Sequence, residues 1–467
     1  MWNLEQFRES TAVITESSEW ISYRQLSSYC ASLVRNIPSR CLVFSLCRNE
    51  IGSLTGYTAF LNAGIVPLML KADLDKGLLD QLIGTYKPDY IYLPSGMAGD
   101  FAGCMKTYEG LGYALLRTGY EHAYPLHNDL ALLLPTSGST GSPKLVRQTY
   151  RNIEANTASI VEYLGITGGE RAITTLPMNY TYGLSIINSH LAAGASIILT
   201  DKAVMQKEFW QQLKEYGATS FGGVPYTYEM LSRLRFERMN LPSLRYVTQA
   251  GGKLSPELHG KFARWAADSG RKFIVMYGQT EATARMAYLP AEKSLEKPGS
   301  MGIAIPGGRF SLTDADGREI TEPETAGELV YYGDNVTPGY AECGEDLVKG
   351  DGRHGRLETG DMAKFDRDGF FYIVGRKKRF LKIFGNRVNL DETEQLLKSE
   401  FAGCDFACAG SDDRMDVFIT DGNLKGRVVP FLSGKTGLHA TAFRVIPIER
   451  IPRNESGKIL YSSLAEG

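Results

Sequence analysis

Nine residues, Thr136-Ser137-Gly138-Ser139-Thr140-Gly141-Ser142-Pro143-Lys144, follow directly on the apolar run Leu130 to Pro135. Glycines let backbone N–H groups turn toward one point, hydroxyls add donors, and a lysine adds a compact positive charge. The segment therefore has the chemistry of a phosphate cradle, and a helix is expected after it. The P-loop of NTPases is excluded, because it needs glycine directly before its lysine and serine or threonine after it, whereas Pro143 and Leu145 flank Lys144. A second concentration of charge places Arg376, Lys377, Lys378, Arg379, Lys382 and Arg387 within twelve residues. It reads first as a solvated face, with a place that receives an anion as the alternative.

The elements that must position these groups follow from periodicity. Leu130 to Pro135, Ser196 to Thr200, Leu244 to Gln249 and Lys272 to Tyr277 are apolar runs of strand length. Arg151 to Leu164, Gln206 to Tyr216 and Glu257 to Ala267 have amphipathic helical spacing, with Ile153, Ile160, Val161 and Leu164 on one stripe. Such alternation predicts a mostly parallel sheet covered by helices, with ligands at the carboxyl ends of its strands. From Gly299 onward the rhythm changes to short alternating runs and turn pairs such as Asp316-Gly317 and Asp368-Gly369, which predicts a small antiparallel β subdomain over about 299–375. Residues 376–467 carry 15 basic and 12 acidic side chains, +3, leaving −5 for the rest, and a boundary is expected near 376–378. Asn389 and Glu392 have capping-box spacing for a helix beyond it.

Composition narrows the function. The 467 residues suggest two to four folding units, and 43% apolar with 22% charged residues is ordinary globular usage. A net charge of −2 provides no field for nucleic acid or anionic lipid, so any bound anion must be held locally. No apolar run reaches spanning length and the start Met1-Trp2-Asn3-Leu4-Glu5 lacks signal-peptide character, so a cytoplasmic protein with no membrane span is expected. Seven cysteines without a C-x-x-C pair suggest reduced thiols; Cys404 and Cys408 lack the further ligands of a metal site.

Taken in order, the Thr136–Lys144 loop, Tyr277-Gly278-Gln279-Thr280-Glu281, Gly327-Glu328-Leu329, Thr359-Gly360-Asp361, Gly375-Arg376 and Pro452-Arg453-Asn454-Glu455-Ser456-Gly457-Lys458 resemble the superfamily of AMP-forming acyl-CoA synthetases, nonribosomal-peptide adenylation domains and firefly luciferase. Ser22-Tyr23-Arg24-Gln25-Leu26 and Asn62-Ala63-Gly64 carry the likeness into the N-terminal region. The resemblance implies an α/β adenylation core over 1–376, including the β subdomain, and a small mobile α+β lid over 377–467. It implies ATP-dependent activation of a small carboxylic acid to an acyl-adenylate. Transfer to the thiol of CoA, or of the phosphopantetheine on an acyl carrier protein, would follow. The alternatives are adenylation with transfer to an amine, and a catalytically silent nucleotide-binding relative.

By that resemblance Lys458 is the catalytic lysine that reaches both carboxylate and nucleotide, Glu281 the Mg²⁺ ligand and Thr280 a donor to the α-phosphate. Thr136, Ser137, Gly138, Ser139, Thr140, Gly141 and Lys144 would surround the outer phosphates. Tyr277 and Gly278, with Gly251 and Gly252 opposite, would enclose adenine, and Asp361 and Arg376 would meet the ribose. Lys378 is the expected hinge, and Arg379 or Lys382 would receive the phosphates of the incoming thiol carrier, with Phe384 and Gly385 lining its approach. Thr181 stands where amino-acid-activating members keep an aspartate for the substrate ammonium, which disfavours an α-amino acid. Tyr180 replaces a frequent histidine, Leu145 a frequent glycine and Asn389 a frequent glutamate. Tyr180, Thr181, Tyr182, Phe221, Gly223, Val224, Ala250 and Met276 make an apolar wall with a few hydroxyls, suited to an aryl, hydroxyacyl or short aliphatic acid. Core packing accounts for these aromatics equally well.

Overall fold

In a computed structural model of the chain, the residues described are 1–135, 144–377, 379–383, 386–411, 413–454, 457 and 459–464. They divide into two compact units. The first takes in the described residues up to Arg309 together with Tyr332–Leu357; the second takes in Phe310–Tyr331 and the described residues from Glu358 onward. The expected β subdomain thus falls with the C-terminal residues.

Among the described residues the first unit holds two large sheets, of eight and nine strands. Leu42–Cys47, Val66–Lys71, Tyr90–Pro94 and Leu130–Pro135 form the parallel centre of the eight-stranded sheet. Leu42–Cys47 is buried at every position, as a strand covered on both faces must be. The nine-stranded sheet runs parallel through Thr11–Ile14, Ser196–Ile198, Arg171–Ile173, Ser220–Gly223, Tyr246–Gln249 and Lys272–Tyr277. Two helices, Ile51–Asn62 and Thr181–Ala192, are buried almost all round. Their Leu54, Tyr57, Phe60, Leu184, Ile187 and Leu191 share one core with Val13 and Ile197 of one sheet and Val43 and Leu132 of the other. A helix apolar on every side has no face for water, so its place is between the sheets. Tyr57 Oη donates to Asn188 Oδ1 at 2.8 Å and ties the two helices together.

The amphipathic helices begin and end as their sequences dictate. Tyr150–Leu164 starts on a Thr149/Asn152 capping box and stops at Gly165, whose φ of +66° is left-handed. Burial of Ile153, Ile160 and Leu164 on its inner stripe stabilises it by about 1.5–3 kcal/mol each. One expectation is corrected here. The chain after the Thr136–Lys144 segment first forms a strand, Leu145–Thr149, antiparallel to Leu130–Pro135 with Pro135 opposite Leu145. The helix starts only at Tyr150. Leu145 and Val146 are buried on this strand, and a short apolar segment cannot by periodicity alone be told from a first helical turn. In the chain order, the described residues on either side of the segment are thus two antiparallel strands.

The second unit contains the five-stranded sheet of Glu319–Ile320, Arg309–Thr313, Gly327–Tyr332, Arg356–Phe365 and Phe371–Arg376, in that order. Its turn glycines Gly317 and Gly369 have φ of +80° and +81°, as the Asp-Gly pairs predict. Beyond it come the hairpin Phe380–Ile383/Asn386–Asn389 and a sheet of Phe406–Ser411, Arg414–Ile419 and Phe443–Pro447. Helices Leu390–Glu400 and Lys425–Thr436 accompany them, and Leu397, Phe406, Val417, Val428 and Leu432 share a core.

Candidate active site

The chain leaves the strand Lys272–Tyr277 and enters a short helical turn at Thr280–Ala282. Thr283 follows with φ +66° and ψ −56°, and the Ala284 N–H reaches back to the Ala282 carbonyl at 2.7 Å. This is a γ-turn with positive φ on a β-branched residue, a conformation that costs on the order of 1–3 kcal/mol. Its surroundings hold it in place: Thr283 Oγ1 donates to the Asn335 carbonyl at 2.7 Å, and the Thr283 carbonyl accepts from Thr181 Oγ1 and from Gln148 Nε2. Gly278 is obligatory beside this turn, since a Cβ there would lie 1.8 Å from the Ala284 carbonyl oxygen.

The turn presents Glu281. Its backbone carbonyl accepts from the Thr337 N–H and hydroxyl, at 3.0 and 2.9 Å, and from Arg353 at 3.3 Å. Its carboxylate oxygen Oε1 accepts from Tyr340 Oη at 2.7 Å. Burial first, and the Glu281 charge second, push the Tyr340 phenol up to about 12, so it stays protonated and donates. Oε2 of Glu281 makes no hydrogen bond among the described residues. A carboxylate with one oxygen fixed and one open fits a hard cation that takes its other ligands from phosphate and water. Among the described residues no cluster of three acidic, histidine or cysteine side chains offers a cage made wholly by the protein.

Cations line the same spot. Lys144 Nζ lies 3.8 Å from the centroid of the Tyr340 ring and 3.3 Å from Glu342 Oε1, and the Arg353 guanidinium sits 4.8 Å from the same centroid. Tyr340 thus joins Glu281 to two positive charges. Neither Tyr340 nor Arg353 stood out in the sequence; the signal available was the turn pair Pro338-Gly339 directly before the tyrosine.

The acyl wall gathers at the carboxyl ends of neighbouring strands. Gly223 faces Gln249 across the register, and the Ala250 N–H donates to the Gly223 carbonyl at 3.2 Å. Gln249 Nε2 clasps the Gly252 carbonyl at 2.8 Å, which fixes Ala250, Gly251 and Gly252 as a ledge. Gly251 has φ +84°, and a Cβ there would meet Tyr180 Oη at 2.6 Å. Tyr180, Tyr182, Val224, Ala250 and Met276 pack in one cluster. The Tyr180 phenol is pushed up to about 12 by burial and has no hydrogen-bond partner among the described residues. Thr181, in contrast, is committed to the Thr283 carbonyl and braces the Glu281 turn. Tyr277, at the end of its strand, accepts from Gln279 Nε2 at 3.2 Å.

In the second unit, Asp361 and Arg376 are register partners on adjacent antiparallel strands, with Arg376 Nε 3.6 Å from Asp361 Oδ1. Asp361 is buried, and Thr359 Oγ1 accepts its backbone N–H at 3.1 Å. A carboxylate and a guanidinium side by side can meet vicinal hydroxyls from one edge. Arg379 is paired with two carboxylates: Nε lies 2.5 Å from Asp391, Nη2 2.6 Å from Glu394, and the guanidinium 3.6 Å from the Tyr461 ring centroid. These contacts tie it into its own unit. Thr136, Ser137, Gly138, Ser139, Thr140, Gly141, Lys378, Phe384, Gly385 and Lys458 lie outside the described residues, as does the side chain of Lys382.

Residues 1–341 match the family described as AMP-binding enzyme. An oxalate–CoA ligase of Arabidopsis thaliana is 28% identical over 358 residues, covering 73% of this chain and 68% of that one. The peroxisomal OPC-8:0-CoA ligase 1 of the same plant is 30% identical over 351 residues, covering 72% of this chain and 64% of its own length. The chain thus spans about two thirds of these relatives. Among solved structures, o-succinylbenzoate CoA synthetase (MenE) of Bacillus subtilis with its acyl-adenylate intermediate superposes with a TM-score of 0.79 at 20% identity, covering 100% of this chain and 98% of that one. ATP-bound MatB of Rhodopseudomonas palustris superposes with a TM-score of 0.77 at 22% identity, covering 99% and 98%. The chain belongs to the AMP-binding enzyme family, and its fold is the mixed α/β fold of the adenylate-forming enzymes.

Proposed function

We propose that the chain activates a small carboxylic acid with ATP, releasing pyrophosphate, and passes the acyl group from the acyl-adenylate to the thiol of CoA. The observation that carries the proposal is Glu281, a carboxylate with one oxygen pinned by Tyr340 and the other open, flanked by Lys144 and Arg353. Two anions, the attacking carboxylate and the triphosphate, must approach each other, so fixed positive charge and positioning do most of the catalysis. Glu281 would hold Mg²⁺, which supplies positive charge against the phosphate oxygens when bound. Lys144 would add a protein charge, and the Thr280 hydroxyl would donate to the α-phosphate. Tyr277, Gly278, Gly251 and Gly252 would receive adenine, Asp361 and Arg376 the ribose, and Tyr180, Thr181, Gly223, Val224 and Ala250 the acyl group.

The second half-reaction needs room for a thiol. Lys458 would serve adenylation and then withdraw as residues 377–467 turn about Lys378 against a core of 1–376. Relatives named CoA ligases support CoA as acceptor; the phosphopantetheine of an acyl carrier protein presents the same thiol and is the second candidate. Seven free cysteines and the lack, among the described residues, of a helix long and apolar enough to cross a membrane are consistent with work in the cytoplasm.

Carboxylate-dependent exchange of pyrophosphate into ATP tests the first half-reaction directly. Lys458→Ala is expected to abolish that exchange while sparing thioester formation from supplied acyl-adenylate. Equal loss in both half-reactions would remove Lys458 from its assigned role.

A further inference from the structure

Four residues beyond Glu281, Arg285 is buried to 2% exposure. Its backbone is clamped by Asn156 Nδ2 and Asn335 Nδ2, which donate to its carbonyl at 2.8 and 3.1 Å. Its side chain is equally fixed: Nε donates to Ser185 Oγ at 3.2 Å, Nη1 donates to Tyr163 Oη at 3.0 Å and contacts Met276 Sδ at 3.0 Å, and the guanidinium lies 5.0 Å from the Tyr182 ring centroid. All of these partners are neutral. No carboxylate forms an ion pair with Arg285 among the described residues, and its Nη2 donates to none of them. Glu170, which shares the electrostatic neighbours His190 and Tyr246 with it, pairs through Oε1 with Arg245 at 2.7 Å, while its buried Oε2 makes no hydrogen bond among the described residues.

A guanidinium taken out of water without a counter-charge is costly, and a site that keeps one rigidly in place is prepared for an anion that arrives later. Two of the side chains that hold it, Tyr182 and Met276, belong to the same cluster as Tyr180, Val224 and Ala250, the acyl wall. Nε is spent on Ser185 and Nη1 on Tyr163 and Met276, and the Nη2 donors remain for an arriving anion.

We infer that Arg285 receives a second carboxylate on the acid, so that the preferred substrate is a dicarboxylate whose far end is paired to Arg285 while its near end is adenylated. The inference deepens the acid-activating function proposed above and rests on it. A pocket built to pair with a substrate charge rejects the analogue that lacks it, because the buried arginine is then left alone.

Pyrophosphate exchange with matched pairs tests this on the unaltered protein: succinate against butanoate, glutarate against pentanoate, and terephthalate against 4-methylbenzoate. The expected result is a dicarboxylate preference in kcat/KM of about 100-fold or more in at least one pair. Arg285→Met is expected to collapse that ratio toward one, and Arg285→Lys to restore part of it; a merely structural role would lower both members of a pair together and leave the ratio intact. Exchange that favours the monocarboxylate in every active pair overturns the assignment of Arg285 and leaves acid activation standing. Exchange with no acid of either kind overturns acid activation and this inference with it. Should the variants not fold, the ratio on the unaltered protein still decides.

Discussion

Arg285 and Arg379, one in each unit, are opposites; Arg147 is buried too, but its guanidinium is spent on the backbone carbonyls of Tyr340, Lys349 and Gly350. Arg379 is held by two carboxylates and an aromatic ring, with the side chains of Arg379 and Glu394 only 12% and 8% exposed. Its partner Glu394 is itself tied in, accepting the Cys408 N–H at 2.7 Å and the Tyr461 hydroxyl at 3.1 Å. Arg285 is buried further, yet only by hydroxyls, a thioether and a ring. A guanidinium whose charge is already matched is part of the scaffold. One whose hydrogen bonds are half made and whose charge is unmatched keeps donors with which an anion could pair. Burial alone does not distinguish the two; the sign and number of the partners do.

The largest expected effect lies at Arg379. Arg379→Met leaves Asp391 and Glu394 facing each other with the cation gone, which should destabilise the second unit by about 3–5 kcal/mol. Hydrogen exchange of the helix Leu390–Glu400 would show it as a matching loss of protection. Removing Glu394 along with Arg379 should recover part of the loss. If the single variant is as stable as the parent, Arg379 is not scaffold and the contrast with Arg285 disappears.

Acid should separate the regions next. His190, on the buried helix Thr181–Ala192, has its pKa pushed down to about 4 by burial, with the Arg285 charge contributing in the same direction. The unfolded chain therefore binds the proton first as pH falls, and stability present above about pH 6.5 is lost between there and 4, by roughly 3 kcal/mol in full. Urea unfolding at stepped pH would trace this. His190→Phe should flatten that part of the profile, and Arg285→Met should move its lower edge up in pH. An unshifted edge would mean that the Arg285 charge is not felt where the structure places it.

Glu281 is intermediate between the two arginines, with one oxygen satisfied and one open. Tyr340→Phe removes its hydrogen-bond donor and keeps the ring under Lys144 and Arg353, and should weaken the Mg²⁺ dependence of pyrophosphate exchange by about 10–100-fold. An unchanged Mg²⁺ titration would show that the phenol does not orient the carboxylate. The smallest expected effect is on the stability of Arg285→Met without any acid: within about 1 kcal/mol of the parent, since the lost hydrogen bonds are offset by the relief of an unpaired buried charge. A loss as large as that of Arg379→Met would make both arginines scaffold.

Much of this was legible in the sequence, and particular residues show why. Leu130 to Pro135 and Lys272 to Tyr277 are strands with the expected bounds, because an apolar run flanked by turn residues has few other fates. The helix stripe through Ile153, Ile160 and Leu164 was equally plain. Leu145–Thr149 was not: five residues hold neither a helical nor a strand period securely, and only pairing with Leu130–Pro135 decides. Arg285 sits among Ala282, Thr283, Ala284, Met286 and Ala287, a lone charge in an apolar and hydroxyl stretch that could have been flagged. Its meaning needed the identity of its neighbours, which come from positions 163, 185 and 276.

By itself, then, the order of residues determined the class of chemistry: a hydroxyl and glycine segment behind a strand, Tyr277 to Glu281 at the end of another, and a family match over residues 1–341. These signals are local, since each lies within a few residues of chain and reflects backbone geometry or charge set by immediate neighbours. Tertiary structure alone decided which charges are spent and which are open. Tyr340 reaches Glu281 across 59 positions, and Tyr163 reaches Arg285 across 122. Whether a buried ion is paired depends on what the fold brings beside it, and no reading of spacing along the chain contains that distance.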